Sequence, residues 1–124
     1  LPQMRDISGN VCSVVYGRLP LMLLEKCVIK DLYGCESCRK NSPEKITALV
    51  DRRGVEFPVI RQFPHRNIVL NSLPTSMSDR EDELMRANIV NRHFIFTTET
   101  PKEVDMVIDA FEKKTALPFA VRRI

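Results

Sequence analysis

Twice in its second half this chain pairs a β-branched run with a helix start signal, and that alternation restricts the fold more than any other feature. "RNIVLNS" (66–72) is a short apolar run suited to a buried strand. "SDRE" (78–81) follows, with Ser78 as N-cap and Glu81 as its capping-box partner, so a helix is predicted through about Ala87, stopping near Asn88. "RHFIFTTE" (92–99) is the next expected strand. "TPKE" (100–103) then gives Thr100 as cap, Pro101 at the first helical position and Glu103 as box partner. Val104, Val107, Ile108 and Phe111 recur at helical spacing and form one apolar face. Lys113 and Lys114 suit the negative C-terminal end. A β-α-β-α series of this kind joins parallel strands by right-handed crossovers.

The first half is less regular. "VCSVVYG" (11–17) reads as a third buried strand. "ITALVD-RR-GVEFPVI" (46–60) reads as a β-hairpin about an Arg-Arg-Gly turn, with Pro58 sending its second strand to an edge or into a bulge. The expected architecture is α/β over one domain, residues 1–124. It has about three parallel strands and two helices, plus the hairpin and a cysteine-rich loop. Ligand sites in parallel α/β folds lie beyond the carboxyl ends of the strands. Arg18, Asn71 and Thr98 stand there and are candidate site residues. The plainer reading has Asn71 and Thr98 bonding loop backbone.

With 124 residues, 44% hydrophobic and 28% charged, the chain suits one soluble globular domain. No apolar run approaches the roughly 18 residues of a membrane span, and no signal-peptide pattern opens the chain. Leu1 in place of Met is expected of an excised piece of a longer protein, or of a processed one. Lys26 to Arg66 carries nine basic and five acidic residues, against eight and nine from Asn67 to Ile124. That excess would attract an anionic substrate, thiolates or nucleic acid, or else form a solvated face.

Three of the four cysteines, Cys27, Cys35 and Cys38, fall within twelve residues as C-x₇-C-x₂-C. A two-disulfide framework fits poorly, because the length suffices for a core and secretory signs are lacking; a reducing, cytoplasmic setting is expected. A closed metal site needs a fourth ligand. If the hairpin folds back onto the cysteine loop, "QFPHRN" (62–67) delivers His65, and Cys₃His is a standard zinc set. Arg66 beside it could balance thiolate charge. Cys12 is the rival fourth ligand, although within an apolar strand a free cysteine behaves as a small hydrophobe. His93, at a strand start, reads as packed or solvated. Closed coordination argues for structural zinc, while thiolates also hold iron–sulfur clusters; spacing leaves both open. Three free thiols without metal is the remaining alternative.

"VVYGRLPLM" (14–22), Glu25, Cys27, "CESCR" (35–39), "DRRGVEFPV" (51–59), "RNIVLNSLP" (66–74) and "FTTETPKEVDMVIDAF" (96–111) occur in that order. The series resembles the later part of the collagenase-like bacterial peptidases, peptidase family U thirty-two, over about residues 10–112. The resemblance implies part of a TIM-barrel-like parallel sheet, since a full barrel takes about 250 residues. Relatives in that family include proteins that bind a 4Fe-4S cluster and take part in hydroxylating RNA bases or a quinone precursor. The family's four-cysteine pattern maps onto Cys27, Cys35, Cys38 and the position of His65, where this chain has histidine.

Three functions follow as expectations. The first is the C-terminal module of a collagenase-like peptidase, a hydrolase acting on peptide. Cys27 with His65 could be read there as a thiol pair, with Glu25 as acid or base. The second is a fragment of an iron–sulfur protein acting on RNA bases or a quinone precursor. The third is a non-catalytic binding module pinned by metal. In the first two, the remainder of the parent barrel is the expected partner.

Overall fold

The computed structural model describes residues 11–34, 47–63 and 65–123. In chain order the elements are β1 (Cys12–Gly17), β2 (Pro20–Leu24), α1 (Val28–Tyr33), β3 (Thr47–Val50), β4 (Glu56–Phe63), β5 (Arg66–Leu70), β6 (Thr75–Ser76), α2 (Glu81–Arg86), β7 (Asn91–Ile95) and α3 (Pro101–Lys113). The fold is mixed α/β. Two units divide the chain: one takes in Leu1–Arg18 and Leu73–Ile124, the other the intervening Leu19–Ser72. Among the described residues no helix is long and apolar enough to cross a membrane.

The first unit holds a three-stranded sheet of order β6-β1-β7. β1 runs parallel to β7 from Cys12↔Asn91 to Gly17↔Ile95, with an irregularity between Val14 and Tyr16. β6 closes the other side antiparallel, through Tyr16↔Ser76 and Gly17↔Thr75. β1 is the middle strand and its last three residues are buried in succession, so Val15 and Tyr16 both join the core cluster with Met77, Leu84, Ala87, Ile89, Val107 and Phe111. Burying side chains the size of Leu84, Ile89 or Val107 contributes about 1.5–3 kcal/mol each. α3 carries the complete expected capping box at Thr100 and Glu103, with Pro101 in its first turn and Lys114 as a left-handed cap. Val107 and Phe111 of its expected apolar face are buried together with Ala110, whereas Ile108 is exposed. Phe94 meets Phe111 edge-on at 4.8 Å between ring centroids.

The second unit is a four-stranded antiparallel sheet of order β2-β5-β4-β3. The expected hairpin is present as β3 and β4, paired from Thr47↔Val59 to Val50↔Glu56. Asp51 builds its turn. The Asp51 carbonyl accepts Gly54 N–H at 3.0 Å, and Oδ1 accepts the N–H groups of Arg53 at 2.7 Å and Val55 at 2.9 Å. Gly54 takes φ 78°, which glycine tolerates without penalty.

Four expectations need correction. β5 is not a third parallel strand: it is paired antiparallel on both sides, by β2 and by β4. Only Pro64 and His65 separate the last β4–β5 register pair, Phe63↔Arg66, and so short a connection makes neighbouring strands antiparallel. Pro58 lies on an inner strand, not an edge. Counting the antiparallel alternation from the Asp51 N–H bond to Val55 puts Pro58 at a non-bonded position towards β3, and the β4–β5 ladder begins only at Val59. Its missing donor is therefore harmless. The α2 N-cap is Arg80, without a side-chain cap bond, and Ser78 is buried with its Oγ accepting from Ser76 Oγ at 3.3 Å. Finally, β7 ends at Ile95, leaving Thr97–Glu99 in the loop before α3.

Candidate functional site

Two places gather the residues singled out by the sequence. The first is the carboxyl end of the parallel pair in the first unit, where β1 ends at Gly17–Arg18 and β7 leads into Thr97–Glu99. Tyr16, the last core residue of β1, donates its hydroxyl to Glu99 Oε1 at 3.2 Å. Glu99 Oε2 accepts the backbone N–H groups of Thr97 at 2.6 Å and Thr98 at 3.0 Å. One carboxylate thereby ties the end of β1 to the loop leaving β7. Burial pushes the Tyr16 phenol well above its ordinary value of 10.0, and the Glu99 charge and hydrogen bond push it further; the Arg18 guanidinium opposes them. The Thr97 hydroxyl is buried without a hydrogen-bond partner. Thr98 takes part here through its backbone N–H. Asn71 follows β5 in the second unit and is buried, with its N–H bonded to Leu19 O at 2.9 Å.

The second place is the corner of the antiparallel sheet where β2 runs into α1 and β4 turns into β5. The register sets Leu24 opposite Asn67, so Glu25 falls opposite Arg66, and Arg66 Nε meets Glu25 Oε2 at 3.0 Å. Arg66, expected to balance thiolate charge, is paired with this carboxylate. Glu25 itself is exposed. Cys27 is buried and is the N-cap of α1, its Sγ accepting Lys30 N–H at 3.4 Å. The next residue, Val28, donates its N–H to Asn67 Oδ1 at 2.8 Å. His65 occupies the β4–β5 turn with φ 67°, a left-handed conformation uncommon outside glycine, and is exposed. The backbone flanking Cys27 is therefore fastened to the backbone flanking His65 through Glu25–Arg66 and Val28–Asn67.

Cys35 and Cys38 lie outside the described residues. Among the described residues, no three Cys, His, Asp or Glu side chains gather as a metal-binding group. Cys12, the rival ligand, is exposed at the start of β1, in the first unit. His93 is likewise exposed, on β7.

Sequence reasoning missed Tyr16, Glu99 and Asn67. A signal for Asn67 was present, as a polar residue inside the apolar run "RNIVL", where only a satisfied amide tolerates burial. Glu99 gave none, because a loop carboxylate before a helix is usually solvated. In comparisons with known proteins, no family model, curated protein or solved structure matches this chain.

Proposed function

We propose that this chain is the C-terminal module of a collagenase-like peptidase-family protein, in which Cys27, Cys35, Cys38 and His65 hold one metal centre. The observation that carries the proposal is the β2–β5 register closed by the Arg66–Glu25 ion pair, which brings the chain at Cys27 to the chain at His65. The donor set suits the role: a buried sulfur at a helix cap, and an imidazole on a two-residue turn. A bound zinc ion would pin the cysteine loop to the sheet, whereas a 4Fe-4S cluster in the same place would carry electrons. In the parent protein the parallel pair β1–β7 would belong to a barrel-like sheet, in a reducing cytoplasm that keeps the thiols unpaired. The exposed aliphatic side chains of β2, Leu21, Met22 and Leu23, each more than half accessible, agree with a module that covers this strand with other protein. Peptide remains the proposed substrate class of the parent.

Elemental analysis after purification without oxygen tests this reading. One metal equivalent per chain, lost in both Cys27→Ser and His65→Ala, is expected. Zinc in colourless protein points to the pinned binding module, and brown protein with iron and sulfide points to redox chemistry on RNA or a quinone precursor. A wild-type chain without metal, or a His65→Ala chain with undiminished metal, overturns it.

A further inference from the structure

We draw no further inference here: the strongest candidate, the apolar patch that Leu21, Met22 and Leu23 expose on the outer strand β2 of the four-stranded sheet, carries nothing because nothing in the structure shows what covers it.

Discussion

Tyr16 concentrates the energetics of the first unit in one side chain. Its ring is fully buried and lies 5.4 Å from Phe96 between centroids, while its hydroxyl reaches the Glu99 carboxylate. Ionising this phenol would place a second negative charge beside Glu99 in a dry setting, so the folded chain holds the proton to higher pH than the unfolded chain does. Tyr16 consequently adds stability that is fully present below the ordinary phenol value of 10.0 and is lost as pH rises above it. Tyr16→Phe keeps the ring, leaves Glu99 Oε1 without its donor, and should cost about 1–2 kcal/mol at neutral pH. Urea unfolding at neutral pH and again near pH 11 checks both parts: the deficit of the variant should shrink at the alkaline end, and a constant deficit would contradict the linkage. Gly17, next along, shows why the strand ends here. A Cβ at this position would sit 2.5 Å from Ile95 O and 2.8 Å from Ile95 Cβ, with φ at 140°. Only glycine lets β1 pass β7 this closely. The sequence contains that glycine without showing which strand crowds it.

At the scale of elements, legibility followed the length over which a signal is written. The start of α3 is local: Thr100 N–H and Oγ1 both donate to Glu103 Oε2, at 2.7 and 2.8 Å, and Glu103 N–H returns to Thr100 Oγ1 at 3.3 Å. Four consecutive residues specify it, so the sequence could be read. Thr100→Ala should destabilise by about 1 kcal/mol, measured by thermal unfolding. The Thr100 bonds hold the Glu103 carboxyl below its ordinary range, so this contribution is present above that range and fades as pH falls through it. The difference between wild type and variant should therefore narrow in acid. "SDRE" carries the same Ser/Thr-x-x-Glu pattern and fails, because Met77 N–H is still bonded to Val15 O and Ser76 N–H to Arg122 O. Sheet contacts hold the chain extended to Met77, and the first turn of α2 forms after Arg80. β5 was legible as a strand, whereas its partners were not. An apolar run fixes burial, and pairing is decided by the two-residue turn at His65 and by β2, whose "PLMLL" has neither alternation nor polar punctuation. The bond from Val28 N–H to Asn67 Oδ1 was invisible in the sequence, since it acts across 39 residues of chain.

For the molecule as a whole, the arrangement of two units turns the metal proposal into a regional one. Cys27, His65, Asn67 and the Glu25–Arg66 pair all belong to Leu19–Ser72, while the larger hydrophobic cluster around Val15, Leu84 and Phe111 belongs to the other unit. Among its described residues the second unit buries Val59, Val69 and Leu70, and it exposes most of β2 and the α1 residues Leu32 and Tyr33. A metal held by residues of this unit would stabilise this unit first, because metal affinity of folded ligands is stability of the fold that gathers them. Chelation should accordingly act on one set of amides. With a strong chelator under reducing conditions, hydrogen exchange is expected to accelerate at least tenfold in β2, β4 and β5 and at Val28, and to stay unchanged in β1, β7 and α3. Equal acceleration in both units would mean that the metal supports the whole chain; no acceleration anywhere would mean that the antiparallel sheet stands on its backbone bonds alone. Restoring zinc(II) should return protection to the same amides, with Val28 among the first, because its N–H is bonded to Asn67 of β5 directly after Cys27.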